Sequence, residues 1–315
     1  MKRLLLLLVS LILALSCRQA PVPVIFDTDM GNDIDDALAL AMLYRYVDEG
    51  KIDLLGIASS KTDTFSVKYI DILNNYYGHP DIPIGKLTGA EQYQRLHTYA
   101  EQMVSSGKWQ GSVQDYDALP ESADLLKDLL SKQKDHSVVI VAVGFFTNLS
   151  RLLSSDPELV KAKVKSLVLM AGDFEGPERS AEHNVRYDIP ATQHICREWP
   201  SEVVLSPFKV GLDLLYPVGP ILENLKYESP NPVAEAYKVY KKMPYDRPSW
   251  DLSAVLYAVD GKDLFEETEA GVIRVDDEGK TWFEADKNGK HSYISVPESS
   301  RQTIIDRYLN LTYEK

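Results

Sequence analysis

Short apolar runs rich in Val, Ile and Leu recur along this chain, and stretches with helical spacing stand between them. The runs are residues 22–26, 52–58, 138–143, 166–170 and 203–205; helical composition covers 37–47, 66–77, 123–131, 148–153 and 190–198. A strand apolar on both faces must be covered on both, and a crossover helix between successive strands does this. The alternation predicts an α/β fold, an open, mainly parallel sheet with helices on both faces. In such sheets ligands sit beyond the carboxyl ends of the strands. The last quarter departs from the pattern. Residues 235–242 and 252–259 read as helices. Then 271–283 and 293–296 flank the turn-rich Asp286-Lys287-Asn288-Gly289, a β-hairpin signal, before a closing helix near 298–309. No linker, repeat or low-complexity tract divides residues 17–315, which read as a single domain.

The N-terminus carries an address rather than fold information. Lys2 and Arg3 precede an apolar stretch over 4–15 that ends at Ser16-Cys17. A positive head and roughly a dozen apolar residues make a secretory signal over 1–16, because a spanning helix needs about 20. Ala14-Leu15-Ser16-Cys17 resembles the bacterial lipoprotein signal, in which the Cys is lipidated and starts the mature chain; an ordinary signal peptide cleaved nearby is the alternative. The resemblance implies a lipoprotein that meets the membrane only through an anchor at Cys17, and Arg18-Gln19-Ala20-Pro21, which carries no acidic tract, points to the periplasmic side. Without the leader the formal charge moves from −13 to −15, the wrong sign for a nucleic-acid partner. Cys196 is the one other cysteine, so it reads as a small buried apolar residue and the fold rests on core packing.

Directly after the first apolar run, Asp27-Thr28-Asp29-Met30-Gly31-Asn32-Asp33-Ile34-Asp35-Asp36 places five carboxylates in ten residues. At neutral pH they repel unless something cationic holds them. A hard divalent cation with oxygen ligands, Ca²⁺ or Mg²⁺ rather than zinc, is the natural answer. A solvated turn in which Asp35 or Asp36 caps a helix accounts for one or two acids, not five. The EF-hand is excluded, since its Gly and Glu positions hold Asn32 and Leu38 and a strand precedes the loop. The haloacid-dehalogenase phosphatases also open on Asp-x-Asp, with Asp27 as the nucleophile. They want Thr or Val where Gly31 stands, and they do not predict Asp35-Asp36.

The pattern Asp27, Asp29, Gly31, then Asp35-Asp36-Ala37 resembles the inosine-uridine preferring nucleoside hydrolases, the calcium-dependent N-ribohydrolases. Here Asn32-Asp33-Ile34 fills an interval where that family has one residue. Further segments agree in order. Gly144-Phe145-Phe146-Thr147-Asn148-Leu149 resembles Gly-x-Leu-Thr-Asn, Leu169-Met170-Ala171-Gly172 resembles Met-Gly-Gly, and Glu182-His183-Asn184 resembles Glu-Phe-Asn. Asp188-Ile189-Pro190-Ala191 is similar to Asp-Pro-Glu-Ala, and Asp251 matches the late metal-binding Asp. The resemblance runs over about residues 22–259.

The resemblance implies Ca²⁺ held by Asp27, Asp29, Asp36, Asp251 and the backbone carbonyl of Thr147, with substrate hydroxyls and a water completing the shell. It implies that Asp29 takes the proton of the attacking water. Asp35 and Asn184 would hold ribose hydroxyls, Glu182 would lie near the sugar's other edge, and the carboxylates would stabilise an oxocarbenium-like transition state. A single attack predicts inversion at the anomeric carbon. Many family members carry His before the late Asp; here Trp250 stands there. Trp cannot act as an acid, but it can stack on a purine and favour its protonated form by about 0.5–2 kcal/mol. Trp at this position resembles the purine-preferring branch, which implies a purine ribonucleoside as substrate; a core aromatic at a helix start is the other reading. Asp251 and Asn148 each also read as helix caps.

Two segments depart from the family. Ser59-Ser60-Lys61-Thr62 replaces its early Asn-bearing loop, and residues 89–116 replace a His-Gly segment. In the second, Trp109 reads as another base wall or as surface packing. His183, where the family has Phe, reads as a leaving-group acid or a structural His. Family members are often dimers or tetramers, so a homo-oligomer is expected. Three other functions stay open: a modified nucleoside or other ribosyl substrate, a Mg²⁺-dependent phosphohydrolase using Asp27, and a non-catalytic nucleoside-binding lipoprotein. Asp29 speaks against the last, since binding alone needs no base.

Overall fold

The structure is a computed structural model that describes residues 20–90, 98–175 and 180–312. The leader over 1–16 and Cys17 lie outside the described residues. Strand β1 (Val22–Thr28) is flanked on one side by β2 (Ile52–Ser59) and then β3 (Ile84–Gly85), all parallel. On its other side stand β4 (Val138–Ala142), β5 (Val164–Met170) and β6 (Glu202–Ser206), again parallel. The chain therefore winds outward from β1 to β3 and then restarts at β4 in the opposite direction. That reversal opens a crevice at the carboxyl ends of β1 and β4, the expected place for a ligand.

Alternation of side chains along each strand builds two cores. Val24 and Phe26 of β1, with Val139 and Val141 of β4, face the layer holding the helices Asp35–Asp48 and Trp250–Val259. Ile25, Ile140 and Ala142 face the layer holding Ser122–Ser131, Thr147–Ser155 and Ile189–Glu198. The helix after β1 and the helix after β4 thus leave to opposite faces, which is what holds the crevice open. Every residue of Asp35–Tyr44 is buried, because that helix lies between the sheet and the helices Trp250–Val259 and Arg301–Thr312.

The C-terminal strands differ from the sequence expectation in one respect. Residues 271–283, expected as a single hairpin arm, contain β7 (Gly271–Val275), a turn, and the start of β8 (Thr281–Ala285). The Asp286–Gly289 turn leads instead to β9 (His291–Ser295), which runs parallel to β6 and extends the main sheet. β7 lies between β8 and β9, so the hairpin is closed by the turn at Asp276-Gly279. The second turn, though rich in hairpin residues, joins strands that are not neighbours. Cys196 is buried and free, and burial pushes its thiol up to about 12, as befits an inert core residue. Among the described residues no helix is long and apolar enough to cross a membrane.

Candidate active site

The acidic segment leaves β1 into the crevice and is held there by backbone and side-chain contacts. Thr28 takes the backbone N–H of Met30 at 3.1 Å on its hydroxyl, which itself donates to Asp36. Tyr99 Oη accepts the backbone N–H of Gly31 at 3.1 Å. The loop after β4 comes against this turn so closely that a Cβ on Gly144 would stand 2.4 Å from the backbone nitrogen of Asp29, so only glycine fits. Asn148 does not cap its helix. Its Nδ2 donates to Asp27 Oδ2 at 2.9 Å and to the carbonyl of Ser59 at 3.0 Å, tying β1, β2 and the β4 loop together.

Asp27, Asp29, Asp35, Asp36 and Asp251 are all at most 5% exposed. Asp35 accepts the backbone N–H groups of Trp250 at 3.2 Å and Asp251 at 3.3 Å, serving the first turn of the helix Trp250–Val259 from 216 positions away. This contact brings the late Asp to the early ones. Oxygens of Asp35, Asp36 and Asp251 lie within 4.8 Å of one another. Burial pushes the Asp27 carboxyl up to about 8. Asp29, Asp35, Asp36 and Asp251 are likewise raised, first by burial; for Asp36 and Asp251 the neighbouring carboxylates are the next cause.

These acids lack a full complement of protein cations. Arg247 is engaged by Asp33, through Nε to Oδ1 at 2.8 Å and Nη2 to Oδ2. Lys61 donates to Asn32 at 2.9 Å and faces Asp63 at 3.6 Å; Asn32 in turn donates to Asp29 at 2.8 Å. Two buried oxygens, Asp27 Oδ1 and Asn148 Oδ1, have no hydrogen-bond partner. A buried set of oxygen donors, mutually repelling and partly unpartnered, fits a hard divalent cation. The acidic cluster can hold a metal ion.

Asp29, Asp33, Asp35, Asp36 and Asp251 line one cavity of ≈ 270 Å³ together with Glu182, His183, Asn184, Met170, Phe208, Arg247 and Trp250. Small-molecule sites run from roughly 300 to 1,000 Å³, so this one, just below that range, is sized for a compact ligand. Glu182 caps the helix His183–Tyr187, accepting the backbone N–H of Asn184 at 3.0 Å, while burial pushes its carboxyl up to about 7. Asn184 donates to the carbonyls of Val143 at 2.8 Å and Met170 at 3.1 Å, which joins the ends of β4 and β5. Trp250 is fixed in place. Its Nε1 donates to the Phe208 carbonyl at 2.9 Å, its ring stacks on Phe208 at 5.6 Å, and a Cβ on Gly211 would stand 2.1 Å from it.

Not every expected residue reaches the cavity wall. Asp27 and Thr147 do not line it; Thr147 begins its helix and its hydroxyl donates to Asp188. Asp35, expected at the ribose, does line it, beside Asp36 and Asp251. Trp109 is not on the wall and packs against the core beside Lys108. Arg247 and Phe208 line the cavity without having been expected. Phe208 follows the carboxyl end of β6, a position the strand-end rule could have flagged; nothing local marks Arg247 as a partner of Asp33.

The sequence profile of the family described as inosine-uridine preferring nucleoside hydrolase matches residues 24–307. The pyrimidine-specific ribonucleoside hydrolase RihA of Klebsiella pneumoniae is 25% identical over 185 residues, 55% of this chain and 56% of that protein, so the match spans little over half the relative's length. Among solved structures, a plant nucleoside hydrolase superposes with a TM-score of 0.76 at 19% identity, covering 93% of this chain and all of that one. The purine-preferring ribonucleoside hydrolase from Gardnerella vaginalis gives 0.73 at 19%, covering 92% and 99%. The inosine-uridine preferring nucleoside hydrolase from Bacillus anthracis gives 0.72 at 18%, with the same coverage. With a carboxylate cluster at the switch point of a parallel sheet, and a profile match over most of its length, the chain belongs to the inosine-uridine preferring nucleoside hydrolase family.

Proposed function

We propose that the protein hydrolyses the N-glycosidic bond of ribonucleosides, purine nucleosides first, to ribose and the free base, with Ca²⁺ as its metal. The observation that carries the reading is the composition of one cavity: a buried carboxylate cluster and the stacked Phe208–Trp250 pair line the same compact space. Asp36 and Asp251 would hold the cation with Asp27, Asp29 and the Thr147 carbonyl, and Asp35 would stand beside them. A hard cation held there would let these carboxylates remain ionised together and would ease deprotonation of a nearby water.

The chain's own residues divide the remaining work. Asp29, oriented by Asn32, accepts the proton of the attacking water. Ionised carboxylates around the sugar stabilise positive charge as it develops on the ring. Glu182 and Asn184, fixed by their backbone partners, would stand at the sugar's far edge. Trp250 offers an aromatic surface to the base, and this is what favours purines. The relatives point both ways on the base, since one is named pyrimidine-specific and another purine-preferring. Export and lipid anchoring at Cys17, on the periplasmic side, belong to the same proposal.

Ribose release from inosine, adenosine, guanosine, uridine and cytidine tests it, with Ca²⁺ and with a chelator, in wild type and Asp29→Ala. Purine-selective release that is lost with chelator and in the variant is expected. No release from any of the five by folded, calcium-loaded protein would refute ordinary nucleosides as substrates.

A further inference from the structure

An N-glycosidic bond breaks with its electron pair moving to the base nitrogen, so the base departs as an anion unless donors take up its charge. Six carboxylates line this cavity, those of Asp29, Asp33, Asp35, Asp36, Glu182 and Asp251, and they repel such an anion. Two lining residues can answer them, His183 and Arg247. His183 packs its ring on Phe145 and Tyr187. Arg247 lies on the side of the aromatic wall. Its guanidinium sits 5.0 Å from the Trp250 ring centroid and 5.2 Å from that of Tyr240.

We propose that Arg247, gripped by Asp33 and laid against Trp250, is the group that stabilises the departing base. The inference rests on the nucleoside-hydrolysis reading and adds the component that reading leaves open. Asp33 engages Nε and Nη2, which fixes the guanidinium plane and leaves both N–H groups of Nη1 unspent on the ion pair. An arginine holds its proton, so Arg247 supplies charge and hydrogen bonds and not a proton.

The reaction balances as follows. The water oxygen bonds to the anomeric carbon, and the C–N bond breaks with its pair going to the base nitrogen. Asp29 receives the proton of the water. The base anion, held by Arg247 N–H donors beside Trp250, takes a proton from solvent, and Asp29 later returns its proton to solvent. Nucleoside and water give ribose and neutral base.

The test compares inosine with p-nitrophenyl β-D-ribofuranoside, whose nitrophenolate leaves without help. Loss of one preorganised donor to a developing anion costs about 10²–10³ in rate. Arg247→Gln is expected to lower kcat on inosine roughly 100-fold more than on the nitrophenyl riboside. Arg247→Lys should recover part of that selective loss, and Asp33→Asn should show a smaller loss with the same selectivity. If Arg247→Gln does not fold, the Arg247→Lys ratio between the two substrates decides. Equal losses on both substrates would overturn the proposal and leave Arg247 a structural clamp. Substrate-selective loss in His183→Asn with none in the Arg247 variants would overturn it as well. If wild type cleaves neither substrate, the nucleoside reading itself fails, a result distinct from both.

Discussion

Removing divalent cations should destabilise this protein measurably, and the effect should be traceable to one carboxylate. Asp36 and Asp251 are buried, share a site within 4.8 Å with Asp35, and stand on segments more than 200 positions apart. A cation bound there joins the β1 loop to the helix Trp250–Val259 and has no counterpart site in the unfolded chain. At a free Ca²⁺ concentration of about 1,000 times the Kd, linkage contributes about 4 kcal/mol. For a chain of roughly 300 residues the unfolding entropy is about 0.6 kcal/mol/K, so the melting midpoint should rise by about 6–7 °C. Differential scanning fluorimetry at pH 7.5, titrating Ca²⁺ into chelator-treated protein, reads this directly. In Asp251→Asn the rise should shrink to under about 2 °C, while the metal-free variant should melt no lower than metal-free wild type, because one mutually repelling carboxylate is gone. An undiminished Ca²⁺ response in Asp251→Asn would refute the assignment of the late Asp, and no response in wild type would refute the cation site altogether.

Two further perturbations probe the frame of the cavity. Burial raises Glu182 from 4.5 to about 7, so its stabilising contribution is complete below about pH 4.5 and is lost as pH rises through about 7. The stability difference between wild type and Glu182→Gln, measured by urea unfolding, should therefore move by roughly 3 kcal/mol against wild type across that window; a constant difference would contradict it. In Gly211→Ala the new Cβ would meet the Trp250 ring at 2.1 Å, so the indole must shift and its bond to the Phe208 carbonyl must break. A loss of about 1–3 kcal/mol and a raised KM for purine nucleosides are expected, and unchanged values of both would show that Trp250 does not need its present seat.

Much of the fold was legible because a parallel sheet covered on both faces imposes a strong pattern. β1, β2, β4, β5 and β6 each stand out as dense apolar runs, and the helices between them carry their own period. Short elements escaped. β3 has two residues, and the helices Tyr99–Ser105 and Phe208–Asp213 have seven and six, too few to establish a period. The second C-terminal turn misled because Asp286–Gly289 has hairpin composition, yet strand pairing is settled by what fills the sheet edge beside β6.

At the site the same division holds. The sequence by itself determined the fold class, the acidic loop after β1, and the order of motifs that the family profile then matched, because these are local patterns of residue type and spacing. The tertiary structure alone decided which acids share a cavity. Asp35 joined Asp36 and Asp251 because its carboxylate serves the first turn of a helix 216 positions away. Asp33 found Arg247 across 214 positions, and Trp250 settled on Gly211 and Phe208. No spacing rule encodes such contacts. Electrostatic energy and packing depend on distance in space, and distance in space is set only when the whole sheet has wound from β1 out to β3 and back through β4.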